Sequence, residues 1–335
     1  MTTPVRVTVL GGGSWGTTVA SIAAKNRPTL LWARDVSVVD SINREHINEK
    51  YLKGLSLNPS LRATNNLEEA VRSADVLVVG VPSHSFRKTL IEVSPNLRPW
   101  VPVVSLSKGL EPETNLRMTQ IIEEVLPSHP AGLLAGPNIA REVLQGFAAA
   151  SVIAMRDEQL ARALQPIFGN RVFRVYTNTD VVGCELGGPL KNVIAIAAGM
   201  ADGLGVGTNT LALVIARGLA EITRLGCCLG GRAESFSGLT GLGDLIATCM
   251  SPLSRNRQVG VELAKGRSIE DITKSMHMVA EGVRTAKVVM QLAEMHGIQM
   301  PIAEEVAAVV RGERSAEMAY RGLRQITPGS ERDAG

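Results

Sequence analysis

The 335-residue sequence is poor in aromatic residues, at 3% of the chain, and poor in net charge, since 35 Lys and Arg against 32 Asp and Glu leave +3. So few aromatics exclude the stacking platforms on which single strands and RNA are read. The weak charge supplies no basic field, so any bound anion must be held by local chemistry. Neither feature points to a nucleic-acid partner. The four cysteines, Cys184, Cys227, Cys228 and Cys249, form no C-x-x-C pair, and the five histidines are scattered. The spaced ligand pairs of a zinc site are therefore missing, and no metal is expected. The thiols read as small buried groups in a reducing compartment. No run of 18 uncharged apolar residues occurs, so no membrane span is expected. The opening MTTPVRVTVL lacks the charged and apolar regions of a signal peptide, so a cytoplasmic location is expected. There is no internal repeat and no low-complexity tract. With 45% hydrophobic and 20% charged residues, disordered, collagen-like and coiled-coil compositions are excluded.

What is present divides in two. Short apolar runs at Val5–Leu10, Leu30–Trp32, Val76–Val81, Val103–Leu106, Leu133–Ala135, Ser151–Ala154 and Val172–Tyr176 alternate with helical patterns. Near-continuous runs such as VLVVGV suit parallel strands covered on both faces. Repeated strand–helix–strand units predict a doubly wound, mostly parallel α/β sheet. After about Tyr176 the runs disappear. Helical patterns take over at Lys191–Met200, Thr210–Leu225, Arg257–Lys265, Gly282–His296 and Ile302–Arg311, with Gly and Pro between them. The expected organisation is a Rossmann domain over residues 1–183 and an all-α domain over 184–335. The polar tail Thr327–Gly335 is expected to fray.

The first run leads straight into Gly11-Gly12-Gly13-Ser14-Trp15-Gly16 and then a helical pattern. In G-x-G-x-x-G, Gly11 allows the tight turn, Gly13 lets a pyrophosphate approach the backbone, and Gly16 lets helix and strand pack closely. The free N–H groups of the helix start then face the phosphates. At the end of the second run stand Arg34 and Asp35. A guanidinium there pairs with a ribose 2′-phosphate or stacks on adenine, whereas a carboxylate accepts from a free 2′-hydroxyl. Arg34 favours NADPH, and Asp35 leaves NADH open.

Three polar, glycine-rich segments interrupt the apolar second half. In Gly187-Gly188-Pro189-Leu190-Lys191-Asn192, Pro189 suits the first helical position, so Lys191 is expected in the first turn. It is either a lysine snorkelling to solvent or a proton donor whose pKa the helix end lowers. In Gly238–Leu245, Asp244 is an N-cap or turn residue, or else it orients a lysine or meets a substrate hydroxyl. In Ser254-Arg255-Asn256-Arg257, Ser254 reads as an N-cap, and a phosphate there would meet helix amides and a guanidinium. In the first half, Ser107-Lys108-Gly109 and Ala135-Gly136-Pro137-Asn138-Ile139-Ala140 each follow a run, at the sheet edge where doubly wound folds bind ligands.

Together these segments resemble the bacterial-type NAD(P)-dependent glycerol-3-phosphate dehydrogenases. The matching strings are GGGSWGT, SKGLE, GPNIAREV, FRVYTNTD, GGPLKNVIAIAAGM, GLGDLIATC, SRNR, VAEG and MPI, in the family's order from residue 7 to about 302. The resemblance implies a Rossmann domain followed by a helical domain, a homodimer, and reversible hydride transfer between sn-glycerol 3-phosphate and dihydroxyacetone phosphate that supplies phospholipid synthesis. It implies cofactor contacts at Ser14, Trp15, Arg34, Lys108, Ala140, Arg255, Val279 and Glu281. It makes Lys191 the proton-transferring residue and puts Lys108, Gly136, Asn138, Asp244, Ser254, Arg255 and Asn256 at the substrate. The chain departs from the pattern at Asn138, where Ser or Thr is common, at Ile139, at Thr240 and at Thr210–Leu211. A β-hydroxyacid dehydrogenase would share the two-domain plan but take a carboxylate, for which the Ser254–Arg257 turn is less suited than for a phosphate. A redox-sensing module would have no use for Lys191 and Asp244.

Overall fold

The computed structural model describes residues 4–276 and 280–324; Val279 and the tail from residue 327 lie outside them. The chain divides into two compact units, Met1–Glu111 with Leu116–Val181, and Pro112–Asn115 with Val182–Gly335.

The first unit holds strands β1 Val7–Leu10, β2 Thr29–Trp32, β3 Arg62–Thr64, β4 Val76–Val79, β5 Val103–Ser105, β6 Ala131–Ala135, β7 Ala149–Met155 and β8 Phe173–Asn178. They form one sheet in the order β3-β2-β1-β4-β5-β6-β7-β8. Every pairing is parallel except β6 with β7. The helices are α1 Ser14–Ala23, α2 Val36–Glu45, α3 Glu49–Leu52, α4 Leu67–Arg72, α5 Ser83–Val93, α6 Met118–Val125, α7 Ala140–Leu144 and α8 Glu158–Phe168. Alternation along the central strands explains the layering. Val7 and Val9 of β1, with Val76 and Val78 of β4, join the core that includes α1, α2 and α8. Leu10, Leu77 and Val79 point the other way, into the core under α4, α5 and α6. Both faces are thus dry, which is why these strands read as continuous apolar runs. The one polar residue of β1, Thr8, is buried but donates its hydroxyl to Ala70 O at 2.7 Å. Strand β3 has no apolar run to betray it, being a three-residue edge strand with one buried residue, Ala63.

The order reverses between β1 and β4, where the first loop comes against the fourth strand. A Cβ on Gly11 would lie 2.6 Å from Gly80 O. This switch point is where doubly wound sheets take their ligands.

Among the described residues, the remaining elements, in the second unit but for Val181, are α9 Val181–Gly203, α10 Thr208–Cys228, α11 Ala233–Ser237, a π-helical turn Leu239–Gly243, α12 Asp244–Met250, α13 Arg255–Ala264, α14 Ile269–Ser275, α15 Glu281–His296, α16 Pro301–Val310 and α17 Ala316–Arg324. Helix α9 is long and apolar enough to cross a membrane by length and composition, at a mean hydropathy of 1.3, but 94% of that stretch is buried inside the fold. Glycines let other backbones reach it. Gly199 of α9 meets Arg257 O, and Gly260 of α13 meets Ile196 O, where added Cβ atoms would sit 2.0 and 2.1 Å away.

Two sequence expectations do not hold in the structure. Pro189 is not a first helical residue: α9 begins at Val181 and carries Pro189 inside it. The missing N–H of Pro189 leaves one helical bond unmade without ending the helix, because burial holds α9 together. Lys191 is therefore mid-helix rather than in the first turn, and the start of its own helix does not act on it. Cys227 and Cys228 are exposed rather than buried, unlike Cys184 and Cys249. On α10 the inward stripe runs through Ile222 and Leu225, and the two thiols fall on the outward side.

Candidate functional sites in the two units

In the first unit the strand–loop–helix fits a dinucleotide on three counts. Gly11 holds φ +121°, a region that favours glycine. A Cβ on Gly13 would meet nothing within 4 Å, so the backbone there is open to approach. A Cβ on Gly16 would fall 2.1 Å from Gly11 O, so only glycine closes the loop. The start of α1 has no side-chain cap and no acidic residue in its first turn, which suits an anion. Two residues that no motif announced brace this loop. Buried Asn48 donates to Gly12 O and Thr17 Oγ1, each at 2.9 Å. Tyr51 O accepts from Ser14 Oγ at 3.1 Å. Trp15 stands edge-on to Phe173, ring centroids 6.0 Å apart, and packs against the core. Its indole Nε1 is buried without a hydrogen-bond partner among the described residues.

At the end of β2 Arg34 is exposed. Asp35 is engaged: one oxygen accepts from Ser37 N at 3.0 Å, capping α2, and the other pairs with Lys50 at 2.7 Å. Lys50 first, then Ser37, holds the Asp35 carboxyl down at about 2. An acid so occupied is a poor acceptor for a ribose hydroxyl, whereas the guanidinium beside it is open to solvent.

Farther along the sheet the structure joins two of the predicted residues directly. Lys108 Nζ donates to Gly136 O at 2.8 Å. Gly136 has φ +148° and lies against β7, where a Cβ would come 3.1 Å from Ala150 O. Asn138 donates through Nδ2 to Ser151 Oγ at 3.2 Å. Ala140 opens α7. The loop carrying Lys108 is anchored by buried Glu111, which receives a bidentate ion pair from Arg87 at 2.8 Å. Ser151, Asn48 and Arg87 were invisible in the sequence, where each is one polar residue among many.

In the second unit Lys191 and Asp244 meet inside the fold. Lys191 is 4% and Asp244 2% exposed, and Nζ lies 2.7 Å from Asp244 Oδ1. The local reason is two matched four-residue repeats. Gly187 and Lys191 share a face of α9, one turn apart. They oppose Thr240, Asp244 and Thr248: a Cβ on Gly187 would be 2.3 Å from Thr240 O, and Lys191 also donates to Thr248 Oγ1. Thr248 gives its own proton to Asp244 O at 2.7 Å, so toward the ammonium it can only accept. Thr248 was not foreseen, although its place four residues after Asp244 was the available signal. Cys249, next along α12, is no rival nucleophile, because burial pushes its thiol up to about 12.

Ser254 caps α13, accepting from Arg257 N at 3.3 Å, and Arg255 is the exposed first residue of that helix. Asn256 is buried, and its Oδ1 accepts from Gly282 N at 3.0 Å. That bond fixes the start of α15, whose first residue is Glu281. Val279 lies outside the described residues. No group of three metal-binding side chains occurs among those described.

The chain is similar to known proteins along most of its length. The family description "NAD-dependent glycerol-3-phosphate dehydrogenase N-terminus" matches residues 6–161, and the corresponding "C-terminus" matches 180–321. A glycerol-3-phosphate dehydrogenase (NAD(P)+) 2 of Sphingopyxis alaskensis is 60% identical over 331 residues, covering 99% of each chain. A glycerol-3-phosphate dehydrogenase (NAD(P)+) 1 of Mycobacterium tuberculosis is 59% identical over 327 residues, covering 97% of this chain and 96% of that one. The crystal structure of a glycerol-3-phosphate dehydrogenase from Coxiella burnetii superposes with a TM-score of 0.91 at 31% identity, covering 96% of this chain and 99% of that one.

Proposed function

Because the chain belongs to the NAD-dependent glycerol-3-phosphate dehydrogenase family, we propose that it is an NAD(P)-dependent oxidoreductase interconverting dihydroxyacetone phosphate and sn-glycerol 3-phosphate. The observation that carries this reading into chemistry is the buried pair of Lys191 and Asp244. Placing a lysine ammonium inside a protein is costly, and a carboxylate at hydrogen-bond distance offsets that cost while fixing where the ammonium points. Lys191 gives a proton to the carbonyl oxygen in the reducing direction and takes it back in the oxidising direction. Asp244 and Thr248 aim it.

When bound, the nicotinamide supplies or receives the hydride. Gly11, Gly13, Ser14, Trp15, Gly16 and Ala140 of the first unit would hold the dinucleotide, with Arg34 on a 2′-phosphate, so NADPH is the preferred form. Lys108, Gly136 and Asn138 are assigned to substrate within the first unit, Lys108 also to cofactor. Within the second, Asp244, Ser254, Arg255 and Asn256 are assigned to substrate, where the start of α13 suits a phosphate, and Arg255, Val279 and Glu281 to cofactor. The same reading makes the protein a cytoplasmic homodimer that supplies sn-glycerol 3-phosphate for phospholipid synthesis. The test follows nicotinamide absorbance with dihydroxyacetone phosphate and either NADPH or NADH. The expected outcome is ketone-dependent oxidation of both, with the higher kcat/KM for NADPH. No oxidation above the ketone-free rate would overturn the assignment.

A further inference from the structure

The reversed strand β7 does something a parallel strand could not. Its N-terminal half returns along the carboxyl end of β6, in the register Ala135↔Val152. Ser151 therefore lies one step beyond the pair, beside Gly136, where an added Cβ would come 3.1 Å from Ser151 Cα. Ser151 is fully buried, and its Oγ is 2.8 Å from Ala135 O. A carbonyl oxygen only accepts, and a serine has one proton, so that proton is committed to Ala135. Toward Asn138 the serine oxygen can then only accept.

This settles the orientation of the Asn138 amide, which heavy-atom positions alone leave open to a flip. The NH2 group faces Ser151 at 3.2 Å, and the carbonyl oxygen faces away. That oxygen, Oδ1, is buried and has no hydrogen-bond partner among the described residues. An acceptor held without a partner is completed by a donor.

We propose that Ser151 is a positioning residue that locks Asn138 as a hydrogen-bond acceptor toward a ligand N–H or O–H. The proposal rests on the reading of Asn138 as a ligand contact. Two sources carry such a donor: the carboxamide of the nicotinamide ring and a hydroxyl of the three-carbon phosphate. A serine whose proton was free would let the amide turn either way and accept or donate without preference. With the proton committed, ligands offering only an acceptor at that point are disfavoured.

Isothermal titration of the full-length wild type, Ser151→Ala, Asn138→Ala and the double variant tests this. The ligands are NADPH, its analogue with an acetyl group in place of the carboxamide, and sn-glycerol 3-phosphate added to the NADPH-saturated protein. Ser151→Ala is expected to weaken one ligand about tenfold, the same ligand that Asn138→Ala weakens. In the Asn138→Ala background it should have no further effect. If the carboxamide is the donor, the wild type prefers NADPH to the acetyl analogue and both single variants lose the preference. If the hydroxyl is the donor, that preference survives and sn-glycerol 3-phosphate binding falls instead. An equal effect of Ser151→Ala in both backgrounds, or none in the wild type, overturns the proposal. Should Ser151→Ala fail to fold, Ser151→Thr and Ser151→Val share a shape and differ in the hydroxyl. Thr is expected to bind like wild type and Val like Asn138→Ala, and equal binding by the two overturns the proposal. A wild type that binds none of these ligands removes the dehydrogenase reading, and the proposal with it.

Discussion

Removing Lys191 does two separable things. It takes away the proposed proton donor, and it strands the Asp244 carboxylate at 2% exposure without its cation. The first should lower kcat by about 10²–10⁴. The second should cost about 3–5 kcal/mol of stability. Lys191→Ala is therefore expected to lose both. Lys191→Ala with Asp244→Asn should regain most of the stability, by urea unfolding, and none of the turnover. Near-normal turnover in either variant would remove Lys191 from the chemistry. At this scale the sequence showed which residue types were unusual for their surroundings. A lysine and an aspartate in glycine-rich breaks between apolar helices stood out. Thr248 and Ser151 did not, because their roles depend on which strand or helix face lies opposite, and that is decided by long-range pairing.

The elements were legible wherever one period dominated. Strands β1 and β4 read clearly because both faces are buried, and α15 and α16 because an apolar stripe repeats along them. The edge strand β3 carried no such signal. The sequence pattern starts α9 too late because Gly187, Gly188 and Pro189 have low helix propensity, which burial against α12 and α13 overrides. The same glycines explain why propensity is the wrong guide here. Gly260→Ala should gain about 1 kcal/mol of helix propensity. It would also thrust a methyl group to 2.1 Å from the Ile196 carbonyl oxygen, a backbone atom that no rotamer change can move. Separating α9 from α13 should cost about 1–3 kcal/mol or more, so the net change is a loss. A lowered urea midpoint is the expected readout, and an unchanged or raised one would show that the helices part without cost.

At the scale of the molecule, the second unit contains a carboxylate on which its stability depends through pH. Glu221 of α10 is 1% exposed and accepts from Ile302 N at 2.7 Å and Ala303 N at 3.2 Å, capping a helix that has no side-chain cap of its own. Burial pushes its carboxyl up to about 7 from an ordinary 4.5, against those two bonds. Between these values the folded protein keeps a proton that the unfolded chain has released. Stability therefore falls as pH rises from about 4.5 to about 7, and this contribution is flat above that. The effect is at most on the order of 3 kcal/mol. Urea midpoints at pH 5 and pH 8 should drop more for wild type than for Glu221→Gln, and equal drops would remove the assignment. Helix α9 has a consequence for the whole chain as it is made. Before its partners exist to cover it, a 23-residue segment of this hydropathy resembles a stop-transfer sequence to the insertion machinery. Lys191 sits near its middle, where a lysine adds about 2.5–3.5 kcal/mol to the cost of entering a bilayer. The side chain assigned to proton transfer thus also raises the cost of placing this core helix in lipid.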